Sequence, residues 1–271
     1  MKYDQNLHTH TNFSDGKDQM EDMVKHAIKI GFTSIGFSDH ANMEFKVSGA
    51  MTKQNAEKSF VTANVLKQKY KGQISVYCGL ENDLFSKQDL TPYDYVIGSC
   101  HCLVLGGEVI EFDGSKEHIK SVIDRFFDGN GLKYAKCYYD NFALLAETKR
   151  IDIVGHADLL TKHSESVEFF NQDSGEYKDF AIKSIRKVFE RCKVFEVNSG
   201  AIARGYRTTP YPAPFIMEEL KNLGAKMIIS SDCHNKEFLD CNFNQSLAYL
   251  KDFGFNKIYK FDGKDFIPFD L

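Results

Sequence analysis

The stretch Leu7-His8-Thr9-His10, with Asp15 five residues further on, has the makings of half a metal site. In an extended backbone successive side chains point to opposite faces, so His8 and His10 share one side and Thr9 takes the other. Two imidazoles on one side can grip one cation, although a single His-x-His suits two surface histidines at a strand end equally well. The pattern then recurs. His40, His101, His156 and His234 each stand at or just past the end of a short apolar run, and of the nine histidines only His26, His118 and His163 fall elsewhere. Glu81 and Asp232 occupy equivalent strand-end positions, and Asp15 lies on the first loop of the same face. In a parallel barrel all C-terminal strand ends open on one mouth, where active sites of such folds are built. Imidazoles and carboxylates together suit zinc, iron or manganese. Nine ligands exceed what one ion takes, so the set fits two or three metals, with a carboxylate able to bridge a pair. The thiols of Cys100, Cys102 and Cys233 alternate to the side opposite these ligands and read as small core residues.

The elements that must position these residues alternate between strand and helix, as a wound parallel α/β architecture requires. Tyr3 to Leu7 is the first strand. Met20, Met23, Val24, Ala27 and Ile28 form the stripe of an amphipathic helix that Gly31 closes. Ser34-Ile35-Gly36-Phe37 is a buried strand delivering Ser38-Asp39-His40. A helix over 53–70 leads to a strand over 73–78 that ends at Gly79-Leu80-Glu81, and a strand over 93–98 ends at Ser99-Cys100-His101. Leu103 to Phe112, broken by Gly106-Gly107, predicts a hairpin or an excursion over the mouth. Helices over 116–127 and 132–149 follow, then the strand Ile151–Gly155 with His156-Ala157-Asp158. The polar stretch 164–178 reads as a loop into the helix carrying Ala181, Ile185 and Val188. Val194 to Val197 runs into Asn198-Ser199-Gly200, and Lys226 to Ile229 leads to Ser230-Ser231-Asp232-Cys233-His234. A last helix and a strand near 257–259 finish the chain.

A chain of 271 residues with 42% hydrophobic content can bury one large core, and the absence of linkers, repeats or low-complexity tracts predicts a single domain over 1–271. The net charge of −4 provides no basic footprint for duplex nucleic acid. No apolar run approaches the ~20 residues of a membrane span, and the first residues lack a signal-peptide core, so a cytoplasmic protein is expected. Seven cysteines without regular spacing suit reduced thiols.

The ordered set His-x-His, Ser-Asp-His, Gly-Leu-Glu, Gly-Ser-x-His, Gly-His-x-Asp and Ser-Asp-x-His, over residues 7 to 234, resembles the PHP (polymerase and histidinol phosphatase) family. Asp94-Tyr95-Val96-Ile97-Gly98-Ser99 and Tyr211-Pro212-Ala213-Pro214 are most similar to its stand-alone histidinol-phosphatase branch. The resemblance implies a distorted (β/α)7, TIM-like barrel with a trinuclear centre at the C-terminal strand ends. By position, His8, His10, Glu81 and Asp232 would hold one metal; Glu81 would bridge to a second with His101 and His156; Asp15, His40 and His234 would hold a third. It further implies hydrolysis of L-histidinol phosphate, a reaction of histidine biosynthesis, by a hydroxide held between the metals. Clustered dications suit that chemistry, because a phosphomonoester dianion repels hydroxide and its hydrolysis needs both charge neutralisation and a nucleophile available at neutral pH.

Arg204 and Arg207, just after Asn198-Ser199-Gly200, are candidates for phosphate binding, since a guanidinium matches phosphate bidentately. Relatives of this branch commonly carry an Arg soon after Gly-His-x-Asp-Leu, where this chain reads Leu160-Thr161-Lys162; Lys162 would act there as a point charge. Asp39 and Asp158 are candidate carboxylates orienting metal-bound imidazoles. No side chain identifies itself as the general acid. His26 and His118 read as solvated, and His163 is within reach of the pocket. The principal expectation is thus a metal-dependent phosphomonoesterase for a small phosphorylated substrate. The alternatives are a nucleotide phosphatase or phosphodiesterase on the same metals, and a catalytically silent metal-binding domain, whose mark would be lost ligands.

Overall fold

Short runs that are apolar almost throughout become the parallel strands of a nearly closed barrel in the computed structural model, which describes residues 2–271. In chain order the strands are β1 (Gln5–Asn6), β2 (Ser34–Phe37), β3 (Ser75–Asp83), β4 (Tyr95–Ser99), β5 (Cys102–Leu105), β6 (Glu108–Glu111), β7 (Ile153–Val154), β8 (Val194–Asn198), β9 (Lys226–Ser230), β10 (Lys257–Phe261) and β11 (Phe266–Asp270). The barrel order is β1-β2-β3-β4-β7-β8-β9, and each neighbouring pair is parallel. Every residue of β2, β4 and β8 is buried, as strands covered on both faces must be. The ring closes where Thr9 bridges Cys233 and the His10 N–H donates to the Cys233 carbonyl at 2.9 Å.

Helices cover the outside. The helix Met20–Lys29 buries Met20, Met23, Val24 and Ala27, and Gly31 ends it with φ +83°. Thr52 and Ser115 cap the helices Lys53–Lys69 and Lys116–Phe126 by accepting from backbone N–H groups in their first turns. The expected loop to residue 178 stops sooner, because Ser174 accepts from the Tyr177 N–H and starts the helix Gly175–Arg191. The long helix expected over 132–149 tightens instead, running Gly131–Phe142 and then a 3-10 turn, Ala143–Glu147. No helix among the described residues is long and apolar enough to cross a membrane.

Two hairpins flank the barrel. β5 and β6 pair antiparallel near the mouth, and β10 and β11 pair antiparallel at the other end. Phe261 of β10 packs on Tyr77 and Tyr95, with ring centroids 5.1 and 5.7 Å apart, and Gln5 ties β10 down through the Phe261 backbone. Tyr95 fills the interior beneath the site and donates to the Leu7 carbonyl. A Cβ at Gly36 or Gly79 would lie 2.2 Å from its side chain, so only glycine fits at both positions.

Candidate metal centre

β3 runs further than the sequence pattern predicts, because its pairing with β4 continues to Asp83, opposite Ser99. Glu81 therefore stands within the strand rather than beyond it, and its side chain enters the barrel mouth. Its carboxylate lies within 3.5 Å of five imidazoles: His8 at 3.2 Å, His10 at 3.5 Å, His40 at 2.8 Å, His101 at 3.3 Å and His156 at 3.0 Å. Asp232 sits 3.0 Å from the His10 Nε2 and 3.7 Å from the His8 Nε2. Asp15 faces His234 at 3.1 Å and His10 and His40 at 3.7 Å. All nine residues expected at the mouth come together in four overlapping groups: His8–His10–Asp232, His8–Glu81–His156, His40–Glu81–His101, and His10–Asp15–His40–His234. The grouping departs from the expected partition in placing His10 beside the Asp15 group and His40 against Glu81.

The backbone around these ligands is held from several directions. Asp39 does not touch an imidazole, contrary to its expected role; its carboxylate accepts from the Thr11 N–H and from the hydroxyls of Thr11, Ser14 and Ser59, which shapes the loop that carries Asp15. Asp18 binds the Lys236 N–H at 2.8 Å and its ammonium at 2.7 Å, joining that loop to the segment after His234. Asp232 adopts φ +45°, a left-handed conformation that Asp tolerates better than most residues and that tends to persist at functional sites.

Two rings carry acceptors on the side away from the centre. His8 Nδ1 is 2.9 Å from Glu196 and His101 Nδ1 is 3.3 Å from Asp83, whereas His234 Nδ1 lies between the Asp232 carbonyl at 3.0 Å and the donating Arg204 guanidinium at 3.1 Å. An acceptor at Nδ1 places the proton there and leaves the Nε2 lone pair facing the carboxylates, which is the arrangement of metal-bound histidine. Consistent with this, His8 Nε2, both nitrogens of His10 and Glu81 Oε2 are buried and, despite the close carboxylates and imidazoles, none makes an aligned hydrogen bond. Polar atoms left so would each cost about 1–3 kcal/mol. Burial opposes charge on His8 and His101, but Glu196 and Glu81 around the first, and Glu81 and Asp83 around the second, outweigh it and raise both well above the usual histidine range. His10 goes the other way: burial, with His234 and His40 beside it, lowers it to about 4. The site thus combines excess negative charge with a neutral, buried imidazole, and divalent cations satisfy both conditions.

Glu196 and Asp83 escaped the sequence reading. Glu196 accepts from the His156 N–H at 2.7 Å, from Ser230 at 2.7 Å and from Asn198 at 2.8 Å, besides meeting His8. A glutamate between Phe195 and Val197 in a wholly buried strand was the available signal. Asp83 was reachable by alternation, two residues beyond Glu81 on the same side.

Asp158 also departs from expectation. Its carboxylate turns away from His156 to accept from the Ala213 N–H at 2.9 Å. Arg207 is buried rather than presented to the mouth, donating to Thr161 and Thr209 and stacking 4.6 Å over Tyr211. Arg204 does reach the centre, donating to the Asp232 carboxylate at 3.1 Å and its carbonyl at 3.0 Å. Lys162 lines the adjoining cavity, with Nζ 2.6 Å from the Asp113 carbonyl. That cavity, about 520 Å³, opens from His40, Glu81 and His101 toward Glu111, Asp113, His163 and Tyr206.

The PHP domain family model matches residues 6–200. Among curated proteins, the chain is 23% identical over 260 residues to a Schizosaccharomyces pombe protein named "Probable histidinol-phosphatase", covering 89% of this chain and 83% of that one. It is 22% identical over 249 residues to the Bacillus subtilis histidinol-phosphatase, covering 84% and 92%. Among solved structures, Lactococcus lactis histidinol phosphate phosphatase, complexed with zinc, L-histidinol and phosphate, superposes with a TM-score of 0.71 at 19% identity, covering 97% of this chain and 98% of that one.

Proposed function

We propose that this chain, which belongs to the PHP domain family, is a metal-dependent phosphomonoester hydrolase that converts L-histidinol phosphate and water to L-histidinol and phosphate. The observation that carries the reading is the convergence of five imidazoles on Glu81, with Asp232 and Asp15 completing the cluster. His8, His10, Glu81 and Asp232 would hold one cation, Glu81 with His101 and His156 a second, and Asp15, His40 and His234 a third, with zinc, iron or manganese as suitable ions. Such cations supply charge neutralisation for the phosphate and lower the pKa of a coordinated water toward ~7. The names of the curated relatives support the substrate.

The chain's own residues do the rest. Glu196 and Asp83 keep the His8 and His101 rings turned so that Nε2 faces the centre. Arg204 clamps Asp232 and, with its side chain 32% exposed, would offer a remaining guanidinium N–H to a phosphate oxygen. Lys162 adds a point charge on the cavity side; burial lowers its pKa, the Asp113 carboxylate opposes that, and a phosphate bound beside it would favour its charged form further. Arg207 supports the wall through Thr161 next to Lys162 and is a positioning residue.

Steady-state kinetics on L-histidinol phosphate, 3′- and 5′-nucleotides and a phosphodiester test the reading. The largest kcat/KM should belong to histidinol phosphate, and Asp232→Ala should abolish turnover while the far-ultraviolet circular dichroism stays that of the folded barrel. A larger kcat/KM for a nucleotide or a diester would assign the same centre to the alternative chemistry.

A further inference from the structure

A lysine that meets phosphate must be held in place without having its charge neutralised. The Lys162 ammonium sits at the end of a flexible stem. Among the described residues it makes one hydrogen bond, to the Asp113 carbonyl at 2.6 Å, and no ion pair. Burial opposes its charge; of the surrounding groups the Asp113 carboxylate does most to favour that charge, and Arg204 opposes it. One carbonyl does not fix so mobile a side chain. The second contact is aromatic, with Nζ 4.5 Å from the centroid of the Tyr206 ring. A ring face attracts an ammonium through its quadrupole and, unlike a carboxylate, adds no net negative charge that would repel a phosphate dianion. The other N–H donors of the ammonium are left for an anion in the cavity that Lys162 and Tyr206 both line.

Tyr206 is itself fixed. It follows the short helix Gly200–Ala203 in a turn where the Gly205 and Tyr206 N–H groups donate to the Ile202 and Ala201 carbonyls, each at 2.9 Å. His163 meets its ring at 88°, with centroids 5.2 Å apart. Arg204, two residues earlier in the same turn, donates to the Asp232 carboxylate at 3.1 Å. A single turn thus sets Arg204 against the centre and Tyr206 against Lys162, which fixes the two candidate cations relative to each other. The Tyr206 side chain stays 38% exposed, so its ring serves the cavity more than the core.

Resting on the phosphatase reading above, we propose that Tyr206 is a positioning residue for phosphate binding. Its ring face holds the Lys162 ammonium in the cavity, and its hydroxyl takes no part.

The test is a double-mutant cycle of Tyr206→Leu and Lys162→Met, read by KM for L-histidinol phosphate and by the inhibition constant of inorganic phosphate. Tyr206→Leu should raise both roughly 3- to 30-fold, the span of a cation–π contact, with kcat changing less. Tyr206→Phe, which keeps the ring, should restore most of that loss. In the Lys162→Met background Tyr206→Leu should add little, because the cation it holds is gone. Each variant is checked for the parent circular dichroism spectrum, and Tyr206→Met provides a second ring-free variant. Equal losses in the Phe and Leu variants, additive losses in the cycle, or unchanged constants in a folded ring-free variant each overturn the role of Tyr206 and leave the phosphatase reading intact. Failure of both ring-free variants to fold makes the ring a structural element and overturns the role as well. Preferential cleavage of a nucleotide or a diester by the unaltered chain overturns the substrate reading instead, and inhibition of that cleavage by inorganic phosphate still reads the cycle.

Discussion

Glu196 is the side chain through which a single substitution best separates positioning from chemistry. It lies behind His8, touches none of the cavity, and ties one imidazole, one backbone N–H and two polar side chains to a single buried carboxylate. Glu196→Ala leaves those donors unpaired, and the loss of such an outer partner typically lowers metal affinity or activity by about 10- to 100-fold. Glu196→Gln keeps an oxygen that can accept from one of them, so it should recover part of the loss. Titration of the metal-free variants with zinc, read by bound metal per chain, distinguishes the two; an alanine variant binding metal as tightly as the parent would remove Glu196 from this role. Asp83 makes the corresponding contact behind His101, where it also accepts from the His101 N–H at 2.7 Å.

At the level of elements, the first loop reaches its place through contacts distant in sequence. Asp18 is fastened to Lys236, and that clip holds Asp15 opposite His234. Burial opposes the Asp18 charge but the Lys236 ammonium and N–H outweigh it, so the folded pKa lies below its ordinary value. A depressed carboxylate contributes stability that is fully present above the unfolded pKa of about 3.9 and is lost as pH falls through the folded value. Because Lys236 is a third exposed, the contribution is discounted for solvent to about 1 kcal/mol. Asp18→Asn should accordingly lower Tm by roughly 2–4 °C near neutral pH. The gap between parent and variant should close as pH is taken below about 4. Thermal melts across pH 3 to 7 measure it, and a gap independent of pH would show that the clip does not depend on the Asp18 charge.

Taken whole, the molecule concentrates negative charge where its strands converge. Glu81, Asp232 and Asp15 meet at the mouth with Asp83 and Glu196 behind them, and all but Asp15 are buried. With no cations, protons on His8, His40 and His101 must balance them, and the Glu81 carboxylate outweighs burial in raising His40 to about 10. Cations bound to the folded barrel and not to the unfolded chain stabilise it by about 2.7 kcal/mol at a hundredfold excess over Kd. Removing them with a chelator should lower Tm measurably, and adding zinc or manganese back should restore both Tm and hydrolysis. Elemental analysis should return two to three transition-metal ions per chain. An unchanged Tm together with no bound metal would refute the centre.

Much of this site was legible in the sequence because a ligand at a strand end is a local property: an apolar run, then a histidine or carboxylate at the point where the strand leaves the barrel. His-x-His, Ser-Asp-His and Ser-Asp-x-His needed strand alternation and the common direction of strands in a parallel barrel to place them on one mouth. Two glycines within Leu103 to Phe112 left a hairpin or an excursion over the mouth as readings of that stretch, and β5 and β6 pair as a hairpin. Partners across the barrel were another matter. Periodicity states which side a residue faces and is silent on what meets it there, so Glu196 behind His8, 188 residues away, was invisible. For the same reason Asp158 and Arg207, though adjacent in sequence to site residues, were drawn by Ala213, Thr161 and Tyr211 into the wall instead. The sequence by itself determined which residues stand at the mouth; only tertiary packing decided that Glu81 would lie among five imidazoles, because closing the barrel is what brings strand ends so far apart in the chain within bonding distance.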